Sequence, residues 1–207
     1  MFVRLAKVKD CQEIYDLIKD GDSGMTTLPK SKDEVLERIS WSKKSLNKKA
    51  KRPDKDSYLF VLKENNRIVG ISAIYTSVSK NGTSVFFKQK KKNISSKVFK
   101  FKKSLDVIQL HTVKNPYTEL GTLYLHPDFR GKGRGSLLSL ARFKFMALWP
   151  ERFDQNVVAE IRGKVDKDDT SIFWKHFSKY FFDEETFNNN EISYINNSFI
   201  AESIPKH

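Results

Sequence analysis

Cysteine, proline and long hydrophobic runs are all scarce in this 207-residue chain. Its one cysteine, Cys11, excludes an internal disulfide framework and predicts a reducing, cytoplasmic compartment. No segment approaches the roughly 18 consecutive apolar residues of a membrane-spanning helix, and the charged N-terminal residues do not resemble a signal peptide. The four histidines lack metal-ligand spacing, so we predict no metal site and no permanently bound cofactor.

Acidic residues are also in short supply, because 38 Lys and Arg stand against 25 Asp and Glu and give a net charge of +13. That balance favours anionic partners such as nucleotides, nucleic acids or acidic surfaces. Most of the excess is lysine, which commonly forms a solvated face, so we rank nucleic-acid binding second. The length and the 39% hydrophobic content predict a single domain over residues 1–207.

Hydrophobic periodicity predicts an α/β fold. One helix is expected to begin at a capping box of Asp10 and Glu13, and a second at a capping box of Ser31 and Glu34. The second helix carries Val35, Leu36 and Ile39 on one side and is expected to end in a basic linker over 43–55. The other predicted elements are strands over 2–8, 58–62, 67–74, 105–113, 119–125, 156–163 and 191–204, and helices over 136–148 and 170–180.

A lysine-rich insertion is predicted around 86–103, where lysine clusters alternate with phenylalanines. The pattern fits either a mobile insertion or a basic strand pair. Basic residues interleaved with aromatic ones also occur in proteins that bind single-stranded RNA. RNA binding therefore stays open as a remote alternative, although no recognisable RNA-binding module is present.

The most informative segment is the glycine-rich sequence RGKGRG at 130–135, between a predicted strand and a predicted helix. Glycines let the backbone approach a ligand closely, and the start of a helix offers free amides and partial positive charge to a phosphate. A P-loop would need lysine and then serine or threonine after its last glycine, whereas Gly135 is followed by Ser136 and Leu137. A dinucleotide-binding loop would lie near the start of a βαβ series. Both of these classes are therefore disfavoured.

The pattern Arg-x-x-Gly-x-Gly in this segment, preceded by LHPDF at 125–129, resembles the acetyl-CoA-binding motif of the GCN5-related N-acyltransferase superfamily. Further segments resemble arginine N-succinyltransferase, in the order in which that family has them. They are residues 22–29, 119–125, 157–163, 173–174 and 199–207. The resemblance is weakest over 43–57 and 80–104.

The resemblance implies a mixed, mostly antiparallel sheet flanked by helices, with parallel strands that diverge around 119–125 and 156–162. It also implies transfer of succinyl from succinyl-CoA to the α-amino group of arginine, as the first step of arginine degradation. Acyl-CoA is then a co-substrate rather than a bound cofactor. The residues expected to bind it are Leu123, Tyr124, Leu125, Arg130, Gly131, Lys132, Gly133, Arg134, Gly135 and Ser136.

Candidates for the remaining chemistry lie near the second parallel strand. Glu160 is a candidate to accept the amine's proton or to bind a guanidinium, and Arg162 to receive the succinyl carboxylate. A solvent-side salt bridge between the two is an equally good interpretation. Met25 and Thr26 belong to a loop that is expected to cover the acceptor, and Glu119 is a weaker candidate for a proton relay.

The resemblance is incomplete at one point. Members of the family continue well beyond the segment PKH at 205–207, and the histidine assigned as their proton donor lies in that continuation. The alternatives to an active enzyme are therefore an acyl-CoA-binding module without turnover, or one part of a split enzyme. A homo-oligomer or a complementing C-terminal chain is the expected protein partner.

Overall fold

The computed structural model describes residues 1–19, 28–78, 84–113, 115–161, 164, 166–167, 171–172 and 175–176. Most of the helix predicted over 170–180, and all of the strand predicted over 191–204, lie outside these residues. The chain forms two compact units, of which the first combines Met1–Lys80 with Pro116–Lys164, and the second contains Asn81–Asn115. The prediction of a single domain stays a prediction.

The elements follow one another in an α/β order that agrees with the predicted fold class. In chain order they are β1 (Phe2–Leu5), α1 (Cys11–Ile18), α2 (Lys32–Asn47), β2 (Ser57–Glu64), β3 (Arg67–Val78), β4 (Ser84–Ser96), β5 (Phe101–Val113), β6 (Tyr117–Leu125), α3 (Arg134–Leu148) and β7 (Val157–Val158). No helix in the described part of the chain is long and apolar enough to cross a membrane.

The first unit is built on a five-stranded sheet with the order β1-β2-β3-β6-β7. Its pairs are antiparallel except for β6 with β7, which run parallel. Asn65 and Asn66 join β2 to β3, and both adopt positive φ angles, of 47° and 62°. Two left-handed residues in succession form the turn that matches the twist of a tight hairpin, so the predicted hairpin is confirmed.

Alternate residues of β2 pack against different helices on the two faces of the sheet. Leu59 and Val61 belong to a core cluster with α1 and α2, whereas Tyr58 and Phe60 pack with Phe145 of α3. Such alternation follows from the two-residue period of a strand. The sheet therefore separates a face that carries α1 and α2 from a face that carries α3.

The capping box predicted at the start of α2 is confirmed, and the capping box predicted at the start of α1 is wrong. The Ser31 side chain accepts a hydrogen bond from the Glu34 amide at 3.1 Å, as an N-cap does. Asp10 makes no capping hydrogen bond, because its carboxylate binds Arg4 and the Lys7 amide. Glu13 instead accepts a hydrogen bond from the Ile68 amide.

Two further details of α2 differ from the prediction. Leu36 is 40% exposed, so it does not share the buried face of Val35 and Ile39. The helix also continues to Asn47, five residues into the predicted linker, because the hydroxyls of Ser42 and Ser45 accept hydrogen bonds from the amides of Leu59 and Ser57. Hydrogen bonding to the sheet thus extends a helix whose sequence there is polar.

Asp154 fixes the start of β7 beside β6. Its carboxylate accepts hydrogen bonds from the Ser77 amide at 2.7 Å and the Thr118 hydroxyl at 3.1 Å. Pairing between the parallel strands is confined to Thr118 with Val157 and Glu119 with Val158, and the described residues 159–161 form no strand. The strand predicted over 156–163 is thus shorter than expected. The two strands run together only where they begin, as the expected divergence requires.

The second unit contains the β4–β5 hairpin. The strands pair without a register shift from Ser84 with Val113 to Ser96 with Phe101. The lysine-rich insertion predicted over 86–103 is therefore a basic strand pair, and the strand predicted over 105–113 is its second half. The lysines on β4 are exposed, as a solvated face would have them.

Candidate functional site

A bulge in β6 interrupts its pairing with β3, just beyond the residues of β6 that pair with β7. Ile71 pairs with Tyr124 and Ala73 with Gly121, so three steps along β6 oppose two along β3. Thr122 lies in the bulge with a φ of 50°, a conformation that β-branched residues rarely adopt. Its hydroxyl is 3.0 Å from the Tyr75 hydroxyl, which accepts a hydrogen bond from Arg38. These contacts come from the side of the sheet that carries α2.

The predicted acyl-CoA contacts on β6 differ in accessibility. Leu123 is 41% exposed and is open to a ligand. The Tyr124 side chain is 5% exposed and packs in the core under α1 and α2. Leu125 packs against the cluster around Leu138. Tyr124 and Leu125 are therefore suited to contact a ligand through their backbone rather than their side chains.

The turn after β6 has an unusual backbone. Gly131, Lys132 and Gly133 have φ angles of 89°, 50° and 75°, so three successive residues lie in the left-handed region. Glycine adopts this region without a steric penalty, which explains two of the three residue types. The Arg134 amide donates to the Gly131 carbonyl and the Leu137 amide to the Gly133 carbonyl, so the turn closes directly into α3.

The start of α3 combines free backbone amides with glycines that leave room for a ligand. Among the described residues, the amides of Gly135 and Ser136 have no acceptor, as expected for the first turn of a helix. A Cβ built on Gly131, Gly133 or Gly135 would meet no protein atom within 4 Å. The amides therefore lie at the positive end of a 15-residue helix, beside glycines that leave room for a ligand, an arrangement suited to a phosphate.

The three cations of the turn are not equivalent. Arg134 binds Glu64 through two hydrogen bonds of 2.5 and 2.8 Å, and these lower the pKa of the Glu64 carboxyl. Its guanidinium also lies 5.8 Å from the centre of the Phe129 ring. Arg130 and Lys132 are exposed and have no ion-pair partner in the described part of the chain. Arg130 and Lys132 are therefore the cations available to a diphosphate, while Arg134 ties the turn to β2.

Two carboxylates lie near the point where β6 and β7 diverge. Glu119 is half-buried on β6, and its Oε1 lies 3.3 Å from where a Cβ on Gly121 would be, close to the Tyr75 ring. Burial raises the pKa of Glu119, and the charge of Glu160 raises it further. Glu160 itself is exposed. Glu119 and Glu160 are therefore close enough for their charges to interact. Arg162, Met25 and Thr26 lie outside the described residues.

Replacing Glu119 with glutamine is expected to increase the free energy of unfolding at neutral pH and to change it little at about pH 4. A raised folded-state pKa means that wild-type stability falls as the pH rises from the ordinary carboxyl range through the raised value, and glutamine lacks this loss. Urea unfolding across that range measures the effect. Glu160→Gln should give a smaller change of the same sign, and an equal loss of stability at both pH values would contradict the assignment.

A groove of about 410 Å³, which sequence patterns do not predict, lies beside the turn, between α1 and β3. Its lining includes Lys9, Gln12, Arg67, His126 and Phe129. His126 accepts a hydrogen bond from the Asp128 amide and packs edge-on against Phe129. It therefore shapes the approach to the turn.

Comparison with known proteins places these features in one family. The family model described as arginine N-succinyltransferase beta subunit matches residues 1–207. Over 212 residues the chain is 34% identical to the arginine N-succinyltransferase of Yersinia pestis (strain Pestoides F), covering 100% of this chain and 60% of that protein. It is 32% identical over 208 residues to the arginine N-succinyltransferase subunit beta of Pseudomonas aeruginosa, covering 61% of that protein. The chain thus spans about 60% of the length of these relatives.

A solved structure supports the same assignment of the fold. The arginine/ornithine succinyltransferase subunit AI from Pseudomonas aeruginosa superposes with a TM-score of 0.73 at 27% identity, over 97% of this chain and 58% of that chain. The predicted fold class is confirmed, with its mostly antiparallel sheet, flanking helices and one parallel pair.

Proposed function

Since this chain belongs to the arginine N-succinyltransferase beta subunit family, we propose that it transfers succinyl from succinyl-CoA to the α-amino group of arginine. The observation that carries the proposal is the turn at 131–135, where free amides at the start of α3 lie beside glycines that leave room for a ligand. We assign the reaction to the cytoplasm, in agreement with the single cysteine.

In this proposal, the CoA diphosphate binds the amides of Gly135 and Ser136, with Arg130 and Lys132 as counter-charges. The pantetheine arm then extends along β6 towards the bulge, where β7 has diverged and left the strand edge open. Backbone amides at Leu123 and Leu125 are positioned to polarise the thioester carbonyl. A dipole that is already fixed in place stabilises the oxyanion of the tetrahedral intermediate without reorganising.

The chemical step requires a neutral α-amine. Glu160, directly or through water, takes a proton from the α-ammonium group, and the freed nitrogen attacks the thioester carbon. The nitrogen of the tetrahedral intermediate loses its second proton as the intermediate collapses and the carbon–sulfur bond breaks, and the CoA thiolate takes up a proton as it leaves. In this proposal Glu119 of β6 accepts the ammonium proton from Glu160 and passes it to solvent. For the thiolate, the family resemblance points to a histidine from the part of the family that this chain does not span, supplied by a complementing chain.

Binding and turnover separate the candidate functions. Calorimetry with succinyl-CoA, acetyl-CoA and free CoA tests the binding site, and release of free thiol together with the mass of succinylarginine tests transfer. Binding with transfer supports the proposal. Tight binding without transfer supports an acyl-CoA-binding module or one part of a two-chain enzyme, whereas absence of binding to all three ligands overturns the proposal.

A further inference from the structure

Arg142 on α3 is a buried cation with no counter-charge in the described part of the chain. It is 4% exposed, and no carboxylate pairs with it among the described residues. Its guanidinium donates only to neutral groups, namely the Gly121 carbonyl, the Ser139 carbonyl and the Ser139 hydroxyl. Arginine stays protonated in proteins, and a buried charge is normally paired. Arg142 is therefore a candidate to bind an anion.

Position on the helix directs Arg142 towards β6. Gly135, Ser139 and Arg142 are spaced at i, i+4 and i+7, so they lie on one flank of α3. Arg142 contacts Gly121 of β6, whereas Arg134, on the other flank, binds Glu64 of β2. The flank with Arg142 is therefore the one that faces the divergence of β6 and β7.

The position of Arg142 along α3 and β6 also matches the position proposed for the acyl end of the ligand. Arg142 lies seven residues beyond Gly135, about 10 Å along the helix from the proposed diphosphate site. It is level with Gly121, which precedes Leu123 by two residues across the bulge at Thr122. A diacid acyl group whose thioester lies at Leu123 would place its far carboxylate in this region.

Ser139 adds a hydrogen-bond donor at the same place. Its hydroxyl accepts from Arg142 Nη2 at 2.9 Å, which leaves the hydroxyl proton free to be donated to an anion. Unlike Arg142, Ser139 is partly exposed. The pair thus offers a fixed guanidinium and a hydroxyl proton, and planar guanidinium groups bind carboxylates strongly.

We infer that Arg142 and the Ser139 hydroxyl bind the terminal carboxylate of the acyl group and thereby select succinyl-CoA over uncharged acyl-CoAs. This inference rests on the proposed function. It assigns to Arg142 the role for which the sequence had suggested Arg162. The guanidinium donates to the Gly121 carbonyl over 3.4 Å, and on binding it exchanges this long contact for the carboxylate while keeping its hydrogen bond to the Ser139 hydroxyl.

Calorimetry with succinyl-CoA and butyryl-CoA tests the inference, because the two acyl groups differ mainly in the terminal carboxylate. The full chain is expected to prefer succinyl-CoA. Arg142→Met should lower the affinity for succinyl-CoA about 10- to 100-fold, and that for butyryl-CoA no more than about twofold, since a hydrogen-bonded charge is lost only with the diacid. Arg142→Lys should retain part of the preference, and Ser139→Ala should weaken it without removing it.

Three other outcomes of these titrations would contradict the role of Arg142 in binding the carboxylate. If the Arg142→Met variant weakens both ligands equally, Arg142 is a structural support for the bulge. If the wild type binds both ligands equally, or the variants keep the wild-type preference, the carboxylate binds elsewhere while the proposed function survives. If the wild type binds neither ligand, the proposed function fails as well. Should Arg142→Met not fold, Arg142→Lys and Ser139→Ala still give the comparison.

Discussion

Gly133→Val is expected to lower the affinity of the chain for CoA by about 100-fold or more, equivalent to roughly 2.7 kcal/mol. Gly133 has a φ of 75°, which costs an ordinary L-residue about 1–2 kcal/mol and a β-branched residue more. Nothing lies within 4 Å of a Cβ at this position, so the new side chain would project into the space assigned to the diphosphate. Titration calorimetry with free CoA measures the loss without involving the acyl group.

Gly133→Asn separates the two contributions. Asparagine tolerates the left-handed conformation, so its effect on stability should be small, while its side chain still occupies the ligand's space. We therefore expect Gly133→Asn to unfold near the wild-type temperature and yet to bind CoA more weakly. A folded Gly133→Val protein with wild-type affinity would remove this turn from the binding site.

Local sequence patterns were sufficient to predict the turn and the elements around it. Glycines at 131, 133 and 135 between an apolar strand and an amphipathic helix specify a backbone that few other folds require, and the structure has that backbone. The hairpin of β2 and β3 was equally predictable, because two asparagines encode its turn locally. Each of these features depends on residues that are close together in the chain.

Features that depend on tertiary pairing could not be predicted. The bulge at Thr122 arises from the register between β6 and β3, and neither strand reveals it alone. The same holds for Asp10, whose sequence context is that of an N-cap but whose carboxylate is taken by Arg4. The sequence does contain a signal for Arg142, because this residue lies between the buried positions Leu138 and Phe145 on the apolar face of α3. A charge on such a face indicates a ligand or partner, but periodicity alone does not identify which one.

Arg4→Met is expected to destabilise the protein by about 3–5 kcal/mol at neutral pH, because it leaves the Asp10 carboxylate buried without its cation. Arg4 donates to both oxygens of Asp10, at 2.6 and 2.8 Å, and Asp10 is 2% exposed. Only the hydrogen bond from the Lys7 amide remains in the variant. Urea unfolding followed by circular dichroism measures the change.

The pH dependence identifies the cause of that loss. In the wild type, burial opposes ionisation of Asp10, but the hydrogen bonds from Arg4 and Lys7 and the charge of Arg4 outweigh it and hold the pKa of Asp10 below its ordinary value. The pair therefore stabilises the protein above the ordinary carboxyl range, and this stability is lost as the pH falls through the lowered pKa. Without Arg4, burial raises the pKa instead, so the difference between variant and wild type should shrink in acid.

Two further variants test whether the loss belongs to the buried charge. Arg4→Met combined with Asp10→Leu should recover much of the stability, since it removes the unpaired carboxylate as well. Lys19→Met breaks the exposed pair of Lys19 and Asp16 and should have little measurable effect, because water already solvates both groups. A loss in Arg4→Met that is the same at every pH, and that the second substitution does not relieve, would mean that Arg4 acts through packing alone.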